Sequence, residues 1–277
     1  MTGTPRKIAG LSEVAHLYDG YILDLWGVVH DGRRPFANTI PTLKELRRAK
    51  RKVWILSNAP RRASTVVRGL AAMGIGPELY GGVHTSGEET HIALRDGYLA
   101  QWGRNCFILG APEDEKVFDG LDVTFVRKPQ DADFVFNTVH DLTMEKYIPL
   151  LELCAAKKLP MVCVNPDRIV HEGNVPVMCP GALADMYEKM EGKVFWFGKP
   201  YHAVYRRVLA ALGAENVLAV GDGMQTDIAG ASGAGLDSAL VVTGIHRGVF
   251  SGNENQLQEF FKSHPYGPAY LLEGLIW

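Results

Sequence analysis

Tyr21-Ile22-Leu23-Asp24-Leu25-Trp26-Gly27-Val28-Val29-His30-Asp31-Gly32 decides how the chain is read. The segment 21–25 is an apolar run interrupted by one carboxylate. It is too short for a helix, has no period-2 alternation of polar residues, and runs into a glycine. That is the pattern of a strand buried on both faces. An aspartate near the end of such a strand is costly to bury unless it has a partner or a task. Gly27 lets the backbone turn tightly just beyond it. Taken alone, the stretch suits a turn aspartate that closes a strand as well as it suits a reactive group.

Working outward, Val53–Leu56, Val194–Phe197, Val217–Val220 and Ala239–Val242 repeat the same short apolar pattern and end in Asn, Gly or Pro signals. Between them lie helix-like stretches. Thr39 to Lys50 carries Leu43 and Leu46 against a basic face, while Arg61 to Met73 and Tyr201 to Leu212 each stop at a glycine suited to a C-cap. Alternating strands and helices of this kind predict an α/β fold with a doubly wound parallel sheet. The middle of the chain reads as a second unit, with strands at 105–109, 123–126, 133–136 and 161–164 and helices at 143–157 and 181–190. The expected division is an outer core domain of residues 1–83 and 193–277 and an inserted α/β domain of residues 84–192. Residues 251–277 should hold one more helix and a closing strand.

Composition narrows the function. With 277 residues and 47% hydrophobic content the chain can bury a large core without disulfides. Its 29 Lys and Arg against 31 Asp and Glu leave a net charge of −2, which supplies no basic excess for nucleic acid. The Arg47–Lys52 cluster reads as a solvated helix end at the negative pole of its dipole. Cys106, Cys154, Cys163 and Cys179 form no CxxC pair, and the histidines show no metal-ligand spacing. No apolar run approaches the 18 or so residues of a membrane span. The expectation is a cytoplasmic enzyme or binding protein without membrane or nucleic-acid partners.

Three more motifs sit where strands end. Ser57-Asn58 can hold a phosphate oxygen beside the N–H groups of a following helix, or can simply cap that helix. Lys199, in Gly198-Lys199-Pro200, can set its ammonium over a phosphoryl group or lie in a surface turn. Gly221-Asp222-Gly223-Met224-Gln225-Thr226-Asp227 places two carboxylates five residues apart, a spacing that can hold one Mg2+. Each motif follows a strand, so a parallel sheet would gather all four at one edge.

In that order, Asp, Ser-Asn, Lys and an acidic pair, the motifs resemble the haloacid dehalogenase superfamily. The Gly27-Val28 and Gly198-Lys199-Pro200 forms, the insertion between the second and third motifs, and Asn165-Pro166-Asp167 within it resemble the class IIA, NagD-like phosphatases over nearly the whole chain. The resemblance implies a Rossmann-like core and an inserted cap of the C2 type that selects the substrate. It implies Asp24 as the nucleophile forming an aspartyl-phosphate. It implies a Mg2+ site built from Asp24, the backbone carbonyl of Trp26, Asp222 and Asp227. Ser57 and Lys199 would hold the phosphoryl oxygens with Asn58 in support, and Asn165 and Asp167 are cap candidates for substrate contact. The expected partner is a small phosphorylated metabolite, and a cap of this size could support a homodimer.

The chain departs from the family at Trp26, where phosphatases carry the aspartate that acts as general acid and base. Such a group is worth roughly 10²–10⁴ in rate. His30 and Asp31 could replace it or could only shape the loop. The expectation is a slow hydrolase favouring good leaving groups. A phospho-ligand sensor and a haloacid dehalogenase are the alternatives; the latter needs no metal, which Asp222 and Asp227 argue against.

Overall fold

The computed structural model describes residues 5–172, 175–242 and 259–277. In chain order its strands are β1 Arg6–Lys7, β2 Gly20–Leu23, β3 Lys52–Ser57, β4 Gly82–Thr85, β5 Asn105–Leu109, β6 Thr124–Val126, β7 Phe134–Asn137, β8 Met161–Cys163, β9 Ile169–Glu172, β10 Val175–Met178, β11 Val194–Trp196, β12 Val217–Gly221, β13 Asp237–Val241 and β14 Tyr270–Leu272. Contacts divide the chain into two units, one of residues 1–57, 66–84 and 199–277, the other of residues 58–65 and 85–198.

The first unit is built on a seven-stranded sheet of order β1-β14-β13-β12-β2-β3-β4. Its central pairs are parallel, with Leu23 opposite Val220 on one side and Ile55 on the other. Burial on both faces explains the apolar runs. Tyr21, Leu23, Val53, Ile55, Leu218 and Val220 pack in one layer with Leu43, Leu46 and Leu70 of the helices Thr39–Arg48 and Ala63–Ala72. Their alternate neighbours Ile22, Leu56, Val217 and Ala219 pack in the other layer, against Val204, Tyr205 and Val208 of the helix His202–Leu212. From the centre, β2, β3 and β4 step one way and β12, β13 and β14 step the other. The reversal falls between β2 and β12, the kind of crevice where open α/β sheets bind ligands.

The second unit carries a five-stranded parallel sheet of order β11-β8-β7-β5-β6 and an antiparallel hairpin of β9 and β10. It too is buried on both faces. Phe107, Leu109, Val135, Met161 and Cys163 line one layer, and Cys106, Phe134, Phe136 and Val162 the other.

These units differ from the expected bounds of 84–192. β11 lies in the second sheet, because Val194, Phe195 and Trp196 pair in parallel register with Met161, Val162 and Cys163. Residues 58–65 also belong to the second unit. Of the expected C-terminal pair, the strand is β14, which lies in the first sheet between β13 and the edge strand β1, and residues 259–262 are helical. Residues 251–258, and His246 among the histidines, lie outside the described residues. Among the described residues no helix is long and apolar enough to cross a membrane.

Candidate active site

The parallel register brings the acidic motifs together. Asp24 follows β2 and donates its backbone N–H to the Val220 carbonyl of β12 at 2.9 Å. Asp222 follows β12 directly. Asp227 comes back to the same place because the turn Met224–Ile228 begins at Gly223, whose carbonyl accepts from the Asp227 N–H at 2.9 Å. The glycines make this approach sterically open. A Cβ on Gly221 would lie 2.2 Å from the Asp227 side chain, and one on Gly223 would lie 2.2 Å from the Thr226 hydroxyl.

Asp24, Asp222 and Asp227 offer carboxylate oxygens within 4.8 Å of one another. All three are buried, at 8%, 4% and 6% exposure, a degree at which like charges cannot stand side by side without nearby cations. Lys199, 3% exposed, supplies one. Its Nζ lies 2.6 Å from Asp24 Oδ1 and 2.7 Å from Asp227 Oδ1. The other Asp227 oxygen accepts the Gly223 N–H at 3.1 Å. A cluster of carboxylate oxygens this compact could hold a hard divalent cation such as Mg2+, which takes oxygen ligands. Ser57, also buried, ends β3 one step beyond the level of Asp24.

The loop after Asp24 shows what Trp26 does. Gly27, at φ 80°, turns the chain, and the N–H groups of Val29 and His30 return to the Leu25 carbonyl. The Trp26 ring, 39% exposed, lies over Gly32, where a Cβ would come within 2.7 Å of it, and meets the His30 ring edge-on at 5.9 Å. His30 accepts the Gly32 N–H on Nδ1 at 3.0 Å, and burial pushes its pKa below the ordinary value. Asp31 accepts the N–H groups of Arg34 and Arg33 at 2.8 and 2.9 Å, and those bonds hold its carboxyl below the usual range. Both residues are thus bound into the loop itself.

The remaining candidates gather in the second unit. Asn58 donates its amide to Asp167 Oδ1 at 2.9 Å, and the Asp167 N–H donates to Asn165 Oδ1 at 2.9 Å. Asn58, expected beside the phosphate with Ser57, therefore has a partner among the cap candidates. Sequence reasoning missed Tyr205, whose hydroxyl approaches the Asp227 backbone carbonyl at 3.2 Å. The signal was available: in the buried stripe Val204, Tyr205, Val208 and Leu212 it is the one side chain with a polar atom.

Comparisons with known proteins bear on the family and the fold. Residues 21–124 match the family model of haloacid dehalogenase-like hydrolases, and residues 196–274 match a model described as HAD-hydrolase-like. A D-glycerol 3-phosphate phosphatase of Mycobacterium tuberculosis is 26% identical over 240 residues, 85% of this chain; the chain spans 66% of that relative's length. A hydrolase of the haloacid dehalogenase-like family from Brucella suis is 29% identical, with a TM-score of 0.82 over 97% of this chain and 100% of the other. A glycerol phosphate phosphatase from M. tuberculosis, solved in complex with magnesium, is 25% identical, with a TM-score of 0.66 over 83% of this chain and 69% of the other.

Proposed function

The chain belongs to the haloacid dehalogenase superfamily, in its NagD-like class IIA branch, and on that premise we propose that it is a Mg2+-dependent phosphatase of small phosphorylated metabolites. The observation that carries the reading is the buried set of Asp24, Asp222, Asp227 and Lys199 at the reversal point of the first sheet. Asp24, Asp222, Asp227 and the Trp26 carbonyl would hold the ion. When bound, it supplies Lewis-acid neutralisation of the phosphoryl charge.

The chain's own groups do the rest. Lys199 holds Asp24 through the 2.6 Å ion pair, and its ammonium and the Ser57 hydroxyl would meet the phosphoryl oxygens. One Asp24 oxygen attacks phosphorus, forming the aspartyl-phosphate as the bond to the leaving oxygen breaks. The leaving oxygen departs with the electron pair. Water then attacks the acyl phosphate, releasing inorganic phosphate, and the Asp24 carboxylate is restored. Two easier steps replace one difficult transfer.

Proton transfer is the weak point. The Trp26 indole has no acid function, and its side chain is laid over Gly32. His30 is buried and biased to the neutral form, and Asp31 is occupied by backbone N–H groups. Leaving groups that need no proton, such as aryl and acyl phosphates, should therefore be preferred over sugar and polyol phosphates.

The test is phosphate release from an aryl phosphate and a panel of sugar and polyol phosphates, with and without Mg2+, in the native protein and in Trp26→Asp. The native protein should need Mg2+ and favour the aryl ester. The variant should gain about 10²-fold or more on the sugar phosphates. Ligand binding without Mg2+-dependent release from any ester would favour the sensor reading instead.

A further inference from the structure

Behind Asp227 stands a buried tyrosine that the proposed chemistry does not use. Tyr205 is 1% exposed, on the helix His202–Leu212. Its hydroxyl lies 3.2 Å from the Asp227 carbonyl oxygen and 3.4 Å from that of Thr226. Both carbonyls belong to the turn Met224–Ile228, which is wound wider than an α-helix: the Ile228 N–H reaches back five residues to the Gly223 carbonyl at 3.1 Å. Widened turns of this kind are strained relative to the regular helix and concentrate at functional sites. Gly230 makes room for the tyrosine, since a Cβ there would lie 2.3 Å from its ring.

Asp227 is thus held from two sides. Its carboxylate meets Lys199 and the Gly223 N–H, and its backbone meets Tyr205. We infer that Tyr205 is a positioning residue for the metal site, its hydroxyl tethering the widened turn so that the Asp227 carboxylate stays beside those of Asp24 and Asp222. The inference rests on the Mg2+ reading above. Tyr205 would act through the turn, by its bonds to the Thr226 and Asp227 carbonyls.

Tyr205→Phe keeps the ring and removes the tether. Mg2+ binding should be measured by titration calorimetry in the native protein, Tyr205→Phe and Asp222→Asn, with melting temperatures and substrate KM at saturating Mg2+ alongside. In Tyr205→Phe the Mg2+ dissociation constant should rise about 2–10-fold, the scale of one buried hydrogen bond, with KM within twofold of native. A lower melting temperature with unchanged Mg2+ affinity would overturn the inference and leave Tyr205 a packing residue. Asp222→Asn separates the two failures. If it weakens Mg2+ binding while Tyr205→Phe does not, only the tether is wrong. If neither the native protein nor Asp222→Asn responds to Mg2+, the metal site itself is wrong, and the tether with it.

Discussion

The two parallel sheets are alike in construction and opposite in what they do with the polar residues at their carboxyl edges. In the first, Asp24, Asp222, Asp227 and Lys199 are charged, buried and turned toward one another. In the second, the corresponding edge carries Asn137, Asn165 and Asp167, which bond to groups of their own unit. Asn137 donates to the Pro180 carbonyl at 2.9 Å and accepts the Val139 N–H at 3.2 Å; Asn165 and Asn58 both bond Asp167. Amides satisfied by neighbouring backbone fix loops. Carboxylates crowded around one ammonium instead favour added positive charge. On the proposed reading the chemistry belongs to the first sheet, and substitutions at the two edges should fail in different ways.

The largest effect should come from Asp222→Asn, which removes a charged oxygen donor from the acidic set. Mg2+ affinity should fall by about 10²-fold or more, with little loss of thermal stability in the absence of the ion. Mg2+ titration followed by calorimetry checks it, and native-like affinity would erase the contrast between the edges. Asn137→Ala should do the reverse. Losing the bonds of a fully buried amide should cost about 2 kcal/mol or more in denaturant unfolding. Turnover at saturating substrate should remain within about twofold, because the residue's bonds run to groups of its own unit.

The smallest effect concerns the loop beside the first edge. Burial lowers the His30 pKa, so below about pH 6.5 the unfolded chain takes up a proton that the folded chain resists. Stability should therefore decline as the pH falls from that value toward the lower folded pKa, and then level off with respect to this group. Melting temperatures of the native protein and His30→Gln between pH 8 and 5 should show a shallower acid slope in the variant. Equal slopes would mean that His30 is not held neutral by the fold.

Much of this was legible in the sequence because buried parallel strands leave a strong trace. β2, β3, β12 and β13 each contain an apolar run, Tyr21–Leu23, Val53–Leu56, Val217–Val220 and Ala239–Val241, and both faces of each found a layer to fill. The spacing of Asp222 and Asp227 was legible for the same reason, since Gly221 and Gly223 mark where the backbone must come close. What was hidden lacks that trace. β1 is two residues long and exposed, and in β10 Val175 and Pro176 are exposed, so neither carries an apolar run. β11 has the expected strand pattern, but its sheet is chosen by its partner β8, which a local pattern does not encode. The bond between Asn58 and Asp167 joins residues 109 positions apart, and only the fold brings them together.

The central claim is that Asp24 attacks phosphorus in the presence of a divalent ion. Its most direct test is phosphate release from an aryl phosphate by the native protein and by Asp24→Asn, each with Mg2+ and with a chelator. The account predicts release only from the native protein with Mg2+, and a fall of about 10⁴-fold or more in the variant, the scale of a lost nucleophile. Release that survives in Asp24→Asn, or that continues undiminished under the chelator, would contradict it.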